Sequence, residues 1–565
     1  MVLYLRSPLA RIVALLLVLA APVCAQTASE VTPDSFRPPL QKLNGAVVFT
    51  GQPGTQAPPG SESIGITLSS VTIENASPAL ATANEAFRTR LTQGRVPVSE
   101  LFDATAALEE AYANAGFVLT RVVLPQQSLR DGGVLRVTVV SGFVETVDTA
   151  AVPAPVRQRL DSLTVPLLDR TGITLRELER QLLLAGDASG VALNTALAAG
   201  TRPGGTVLAL DAAFRRVTGF IGADNFASSD LGRPVINAGV EVNSALSLGE
   251  TLYGRLSAAP EGVLSGEPRY RVLALGALVP VGASGLTLNA EVTSSRTHPE
   301  SNVAPTRSAF DRQSLRLIYP VIRSRELNLS TQIGIDHQTD SQDLLVPGGA
   351  AAIYEDEITV LRAGLSGSKQ TGEGQLLEGG ITLSRGLDIF GARRAGAVPL
   401  SRQGAAPEFT KLNLSARYQR AVGETLTFSL SGRAQSAFGD AVVTAEQFGI
   451  VGAGDLSSFD SGGLRGDSGY VLRTEVARPI NTTLLGRSSV FSPYVFAGFG
   501  AVSLARPTAL EQDRVTANAY GLGFDVLLQG ETPFRADTIR VEFGKGNRDD
   551  GKDDTRFSIS GNFRF

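Results

Sequence analysis

The chain ends in the segment Arg556–Phe565, which reads R-F-S-I-S-G-N-F-R-F. Apolar or small residues alternate with polar residues along this whole segment, and a period of two predicts a β-strand with two unlike faces. A tilted strand of about ten residues is long enough to cross a bilayer. Because the segment also finishes on an aromatic residue, it is typical of the final strand of a bacterial outer-membrane β-barrel.

The same alternation recurs through residues 216–565, where clusters of Gly, Pro, Asp, Asn and Ser separate the alternating segments. In each segment one face is aliphatic and suits lipid, whereas the other carries polar side chains and suits water. A closed barrel satisfies every backbone group in a bilayer, and single-chain bacterial barrels have an even number of strands. We therefore expect a 16-stranded antiparallel transmembrane β-barrel, with a soluble β-sandwich or solenoid as the alternative. The candidate strands start near Val217, Arg233, Glu250, Pro268, Gly285, Arg307, Glu326, Glu357, Gly374, Pro407, Glu424, Ser468, Ser488, Arg514, Asp537 and Asp554.

Residues 1–25 have the pattern of a secretory signal peptide. Arg6 and Arg11 form a basic start, an apolar stretch follows, and small residues precede a cleavage site after Ala25. Cys24 as a lipid-anchor cysteine is the alternative. Cleavage leaves a mature chain without Cys or Met, which excludes disulfides and cysteine-based metal sites.

Three further stretches lie between the signal peptide and the barrel. Residues 26–61 are rich in Pro and Gly and predict a periplasmic linker. Residues 62–142 show the order β-α-α-β-β, and residues 143–215 repeat that order more loosely. In the second unit, Thr174 and Glu177 have the spacing of a capping box, which predicts the start of an amphipathic helix. We expect two α+β modules in series in front of the barrel.

Composition excludes several classes of function. The net charge of −4 gives no basic excess, and this argues against a nucleic-acid partner. His298 and His337 are the only histidines, and neither belongs to a metal-ligand spacing or a catalytic triad. We therefore expect no metal, no cofactor and no enzymatic activity.

The segment Gly116–Gly142 reads G-F-V-L-T-R-V-V-L-P-Q-Q-S-L-R-D-G-G-V-L-R-V-T-V-V-S-G. Its Gly-Phe start, its L-P-Q-Q turn and its Gly132/Gly133 hairpin resemble the first POTRA domain of the outer-membrane transporters of two-partner secretion. This family exports haemolysins and filamentous haemagglutinins, and the similarity continues through the second module and the barrel.

The resemblance implies a transporter in the outer membrane of a Gram-negative bacterium, with both POTRA domains in the periplasm. It implies a large secreted partner protein with an N-terminal secretion domain, which the POTRA domains capture unfolded and the barrel conducts outward. Contact with outer-membrane lipid, and assembly by the barrel assembly machinery with periplasmic chaperones, are further implications. The alternatives are an insertase for other barrels and a diffusion porin.

An edge strand in the first module is the candidate site for the partner. Unpaired backbone groups at a sheet edge can bind an extended chain with little demand on its sequence. We expect that edge to be Phe117–Leu124, with an ordinary structural strand as the alternative. The candidate residues of the strand and the turn after it are Phe117, Val118, Leu119, Thr120, Arg121, Val122, Pro125 and Gln126.

A second motif, L-R-G-D-S-G-Y-V-L-R-T-E over Leu464–Glu475, resembles the stretch of this family in which a long loop returns into a barrel strand. Alternation directs Tyr470 and Leu472 toward lipid, and Arg473 and Glu475 toward the lumen. The motif residues that we single out are Arg465, Gly466, Asp467, Gly469, Tyr470, Arg473 and Glu475.

The chain departs from the family pattern inside the barrel. The loop of relatives carries V-R-G-F/Y, whereas the matching tetrapeptide here, ending at Phe459, has Ser457 in the Arg position. The Asp that pairs with that Arg is replaced by Gly498. Losing both partners avoids an unpaired charge in the lumen. We expect a loosely held loop, with Arg465 as a displaced substitute if the alignment shifts.

Phe565 is implied to be the signal that the barrel assembly machinery reads. We also expect the last strand to pair with the strand near Val217 and so to close the barrel.

Overall fold

The computed structural model describes residues 26–35, 47–49, 57–301, 304–372, 374–530 and 536–565. The expected signal peptide lies outside this described part. None of the helices described is both long and apolar enough to cross a bilayer. The helices are α1 (Ala28–Val31), α2 (Ala81–Thr92), α3 (Val98–Asn114), α4 (Ala154–Thr164) and α5 (Leu175–Gly186). The strands before the barrel are β1 (Val47–Phe49), β2 (Gly65–Glu74), β3 (Arg95–Pro97), β4 (Arg121–Val123), β5 (Gly133–Val140), β6 (Phe143–Ala151), β7 (Val191–Ala199) and β8 (Gly205–Phe214).

The first module is a four-stranded sheet with the order β3-β2-β5-β4. Strands β2 and β5 run parallel, whereas β4 is antiparallel to β5 and lies at the edge of the sheet. Leu135 and Val137 of β5 are fully buried and share one core with Leu91 of α2 and Leu101 of α3. The period-two pattern of β5 and the helical spacing of α3 therefore bury one common apolar surface.

The second module is a sheet with the order β1-β7-β8-β6. Helix α5 begins where the sequence predicts, because the backbone N–H of Glu177 donates to Thr174 Oγ1 at 3.3 Å and the Glu177 carboxylate accepts from the Thr174 N–H. Strand β1 comes from the stretch expected to be a linker, and it adds to the sheet in parallel with β7.

The two modules and the barrel contact one another directly. Leu119 of the first module is buried in the core of the second module. At the other end of the second module, the Asp187 carboxylate accepts two hydrogen bonds of 2.7 Å from Arg323, which lies at a periplasmic turn of the barrel. Arg180 of α5 donates to the carbonyl oxygen of Pro320 at 2.8 Å. The second module is thus fixed to the barrel by charged and backbone contacts.

The barrel is closed and antiparallel, as the sequence predicts. Strands β22 (Ser468–Ala477) and β23 (Ile480–Leu484) are two parts of one strand position, because both pair with β24 (Arg487–Ser503), so the barrel has 16 positions. The strand expected near Glu357 begins earlier, at Gly349. The barrel strands are β9 (Val217–Asp224), β10 (Val235–Asn243), β11 (Thr251–Ala258), β12 (Tyr270–Val281), β13 (Leu286–Thr297), β14 (Thr306–Arg323), β15 (Leu327–Val346), β16 (Gly349–Gly372), β17 (Gln375–Leu387), β18 (Thr410–Val422), β19 (Leu426–Ser436), β22 (Ser468–Ala477), β23 (Ile480–Leu484), β24 (Arg487–Ser503), β25 (Arg514–Gln529), β26 (Ala536–Arg548) and β27 (Asp554–Arg564). Two short strands, β20 (Phe448–Gly449) and β21 (Arg465–Gly466), pair with each other inside the loop between β19 and β22.

Strand β27 closes the barrel by pairing with β9, as expected. Next to this ladder, Phe565 and Gly219 exchange two backbone hydrogen bonds of 3.1 Å. A Cβ atom on Gly219 would lie 2.7 Å from Cζ of Phe565, so the glycine provides the space in which the ring lies. The terminal phenylalanine is therefore part of the closing contact.

The expected periplasmic linker over residues 26–61 is wrong for much of its described part. Residues 26–35, which we call the N-terminal segment, lie inside the barrel. The Ala28 backbone donates to Ser308 Oγ at 3.1 Å and accepts from Ser295 Oγ at 3.0 Å, while Ser35 donates to Asp336 at 2.6 Å. Polar side chains of the lumen satisfy this backbone, and composition alone could not reveal such partners.

Candidate functional site

The edge strand of the first module is shorter than the sequence predicts. The expected strand over Phe117–Leu124 is wrong, because only Arg121–Val123 pair with β5. After α3 the chain turns, and the Thr120 N–H donates to the Phe117 carbonyl at 3.0 Å. Phe117 packs against the first core, and Leu119, together with the partly buried Val118, packs into the core of the second module. Apolar alternation here therefore serves the contact between modules.

The Glu109 carboxylate covers the outer edge of β4. One of its oxygens accepts the Val122 backbone N–H at 2.9 Å, and the other accepts from Arg121 at 2.8 Å. The Val122 N–H therefore points away from β5, while the Val122 side chain is buried in the module core. A strand that adds to this edge has to displace the Glu109 carboxylate from that N–H group.

A side chain also takes the place of a strand beyond the end of β4. The Gln127 amide nitrogen donates to the Arg136 carbonyl at 2.7 Å, and its oxygen accepts the Arg136 N–H at 2.9 Å. Pro125 and Gln126 are exposed in the turn before it. The open part of this edge is thus confined to the short strand β4.

The loop between β19 and β22, residues 437–467, folds into the barrel, and we call it the lumen loop. Leu456, Ser457 and Phe459 at its tip are all buried. The expectation of a loosely held loop is therefore wrong. The sequence argument considered the missing Arg and Asp but not the new partners that the barrel wall supplies.

Ser457 belongs to a buried hydrogen-bond network. Arg473 donates to Ser457 Oγ at 2.8 Å, to Glu542 at 2.5 Å and to Glu475 at 2.7 Å. The Ser457 hydroxyl in turn donates to Glu542. Arg473 is only 2% exposed and also lies 3.9 Å from the Phe496 ring centroid. Arg473 therefore holds the loop tip and two acidic groups of the barrel wall together.

Glycines of the wall provide the space for the loop tip. A Cβ atom on Gly498 would lie 2.9 Å from Cδ2 of Leu456, and a Cβ atom on Gly546 would overlap the Phe459 ring. Gly498, at the position where the resemblance implies Asp, thus lets Leu456 pack against strand β24. Shape complementarity takes the place of the ion pair that the resemblance implies.

Restoring the family pair, with Ser457→Arg and Gly498→Asp, is expected to detach the loop tip instead of securing it. The larger side chains have no space at either position, and overpacking costs about 1–3 kcal/mol or more. Single-channel conductance in planar bilayers should rise above that of the unaltered protein. Lower conductance would show that the pair fits.

The remaining motif residues lie at the base of the lumen loop. Arg465 donates to the Gln447 carbonyl at 3.3 Å and lies 3.9 Å from Glu30 of the N-terminal segment, so it is not a substitute at the loop tip. The Asp467 carboxylate is buried and lies 3.1 Å from an Arg402 nitrogen. Gly466 pairs with Phe448, Gly469 lies close to Ala501 and Tyr470 contacts Phe499 on the lipid side.

A second buried cluster, which the sequence does not reveal, anchors the other side of the lumen loop. Glu446 of the loop lies 2.6 Å from Arg362 and 2.8 Å from Lys411 on the barrel wall. Burial alone would raise the pKa of Glu446, but the two cations hold it well below the usual range. The loop is therefore bound to the wall by charges at two separated places.

The N-terminal segment and the lumen loop leave a cavity of about 1060 Å³ in the barrel. Wall residues such as Ser415 and Arg417 line this cavity, and so do Glu30 and Asp455 of the two inserted segments. The lumen is thus wet and polar, and it is narrowed by two segments that are not barrel strands.

Comparisons with protein families agree with this geometry. The family model described as haemolysin secretion/activation protein ShlB/FhaC/HecB matches residues 204–524. The model of the ShlB-type POTRA domain matches residues 67–142, which contain the edge strand β4.

Individual proteins and structures are similar over most of the chain. The heme/hemopexin transporter protein HuxB of Haemophilus influenzae strain 86-028NP is 24% identical over 425 residues, which are 72% of this chain and 70% of that protein. CdiB from Escherichia coli superposes with a TM-score of 0.69 at 19% identity, covering 90% of this chain and 92% of that one. CdiB from Acinetobacter baumannii gives a TM-score of 0.60 at 16% identity, covering 98% and 97%. These two structures share the fold.

Proposed function

This chain belongs to the haemolysin secretion/activation protein family and is an outer-membrane transporter of two-partner secretion, and we propose that strand β4 captures the secreted partner as an extended chain. The outward N–H of Val122 carries this proposal, because it is held by a side chain and not by another strand. A partner strand can replace the Glu109 carboxylate without disturbing the ladder between β4 and β5.

The path proposed for the partner runs from this edge into the barrel lumen. The partner would have to displace the N-terminal segment and the lumen loop, because both occupy the lumen. Each part of the partner that folds outside the cell cannot return, and this biases its diffusion outward. The partner itself would be a large protein with an N-terminal secretion domain.

Substituting Val122 with proline tests the capture site. Proline removes the outward N–H but is tolerated at a sheet edge, where that group faces away from the ladder. Val122→Ala is the matched control, because it also shortens the buried side chain yet keeps the N–H. We expect Val122→Pro to remove the large secreted protein from the culture medium, by about tenfold or more, while Val122→Ala retains most secretion. Mass spectrometry of the medium measures both.

Equal secretion by the two variants, with equal amounts of heat-modifiable barrel in the outer membrane, would exclude capture at β4. A general loss of other outer-membrane barrels in the proline variant would point to an insertase.

Phe565 is proposed to be read by the barrel assembly machinery, after chaperones have carried the chain across the periplasm. Phe565→Ser keeps the two backbone hydrogen bonds to Gly219 but removes the ring. We expect the amount of folded barrel in the membrane to fall, and secretion to fall by the same factor. Normal folded barrel with lost secretion would contradict this role. Phe563→Ser, two residues earlier in β27 and on the same face of the sheet, is the control.

A further inference from the structure

The closing seam between β9 and β27 is only partly a backbone ladder. Strand β9 ends at Asp224, which pairs with Ser560, whereas β27 continues beyond this pair, toward the extracellular side, as far as Asp554. Beyond the ladder, the Asn225 amide nitrogen donates to the Phe557 carbonyl and its oxygen accepts the Ile559 N–H, both at 2.9 Å. The Asn225 backbone N–H also donates to the Ile559 carbonyl at 3.2 Å, so a single residue, Asn225, continues the seam toward the extracellular end.

Arg556 connects this upper seam to the tip of the lumen loop. Its guanidinium donates to the carbonyl oxygens of Asn225 at 2.6 Å and Ala227 at 3.1 Å, both in the connection after β9. The same group donates to the Phe459 carbonyl at 2.8 Å and to the Asp460 carboxylate at 2.6 Å, both in the lumen loop. The Arg556 side chain is only 2% exposed.

Neighbouring contacts attach the loop tip to the same place. The Ser461 hydroxyl donates to the carbonyl oxygen of Phe226, and Arg233 lies 3.7 Å from Asp460. Ser461 thus contacts the β9–β10 connection directly, whereas Arg556 links Phe459 and Asp460 to that connection.

We propose that Arg556 couples the position of the lumen loop to the closure of the barrel seam. A buried guanidinium without its carboxylate partner is strongly unfavourable. When the loop tip leaves, Arg556 has to turn toward water, and it then withdraws its hydrogen bonds from Asn225 and Ala227. The upper seam, which is held there by one backbone hydrogen bond and the Asn225 side chain, loosens as a consequence.

The coupling is reciprocal, because linkage between two sites acts in both directions. An open seam weakens the docking of the loop, and a displaced loop weakens the seam. A chain moving through the lumen would therefore open the barrel wall locally. Arg556 is a positioning residue in this arrangement, and the coupling does not depend on where the partner is first captured.

Hydrogen exchange of the full-length protein in lipid nanodiscs tests the coupling. Asp460→Asn removes the charge that fixes Arg556 while leaving the seam residues unaltered. We expect the backbone amides of Asn225 and Ile559, which donate across the upper seam, to exchange at least tenfold faster in this variant. Asp455→Asn is the matched control, because Asp455 lies in the same loop but pairs with Arg433 of β19, away from the seam. Exchange at the seam should be unchanged in the control.

A double-substitution cycle completes the test. Adding Arg556→Met to Asp460→Asn should raise seam exchange no further than the larger single effect, since both changes break one linkage. The conservative Arg556→Lys, which keeps the charge, should give an intermediate rate. Faster exchange in the loop tip with unchanged exchange at Asn225 and Ile559 would overturn the proposal, as would additive effects or an equal effect of Asp455→Asn.

Discussion

Replacing Arg473 with methionine is expected to release the lumen loop and to raise the single-channel conductance severalfold, with large fluctuations. Arg473 is buried against Glu475, Glu542 and Ser457, so its loss removes one of the two guanidinium groups that pair with these carboxylates and leaves only Arg540 beside them. Breaking a buried ion pair in this way costs about 3–5 kcal/mol. Planar-bilayer recordings of the purified protein measure the effect.

Arg417→Met is the control for this prediction. Arg417 also faces the open cavity of the barrel, so that the variant makes the same change in lumen charge at a site away from the loop tip. Conductance close to that of the unaltered protein is expected for the control. If both variants changed the current equally, charge in the lumen, and not release of the loop, would be the cause.

Removing residues 27–35 is the change with the second large expected effect. These residues cross the lumen, where Arg312 donates to the Pro33 carbonyl at 3.1 Å and Ser295 and Ser308 hold Ala28. The shortened chain should conduct severalfold more current than the complete one, because a large part of the pore cross-section becomes water.

Replacing residues 27–35 with a glycine–serine segment of the same length separates the effect of a segment bound in the lumen from the effect of chain length. Such a segment is flexible and lacks the side chains that bind the wall. It should leave the lumen and give a conductance similar to that of the deletion. Unchanged current in both variants would mean that the segment does not obstruct the pore.

Period-two alternation made the barrel predictable from the sequence. Leu472 is 48% exposed on the lipid side and Arg473 is 2% exposed in the lumen, as alternation requires. Lipid and water on opposite faces impose this pattern on each spanning strand, and it locates the strands without any knowledge of their neighbours. The α+β modules were predictable for a similar reason, since α5 has both a capping box and an apolar stripe.

The candidate sites were less predictable, because they depend on contacts between distant parts of the chain. Ser457 could be placed at the loop tip by alignment, but its partner Glu542 lies 85 residues away. Glu109 gave no sequence signal, since an acidic residue on an exposed helix is ordinary. The apolar stretch around Leu119 suggested a strand, yet its burial comes from the adjoining module. These contacts depend on the register of the barrel strands and on how the loop and the modules dock, and no local sequence pattern encodes either.

Site-specific photocrosslinking during secretion tests most directly whether the partner passes through the lumen. Ser415 pairs with Arg433, whose side chain binds Asp455 of the lumen loop, so a photoreactive amino acid at position 415 faces the lumen. Leu414, the preceding residue of β18, lies on the opposite face of the strand and is 46% exposed on the lipid side. A very large protein should crosslink to position 415 and to position 123 of the edge strand, where Val123 is 39% exposed, and not to position 414. Crosslinks at 414 equal to those at 415, or none at 415 while secretion continues, would contradict passage of the partner through this barrel.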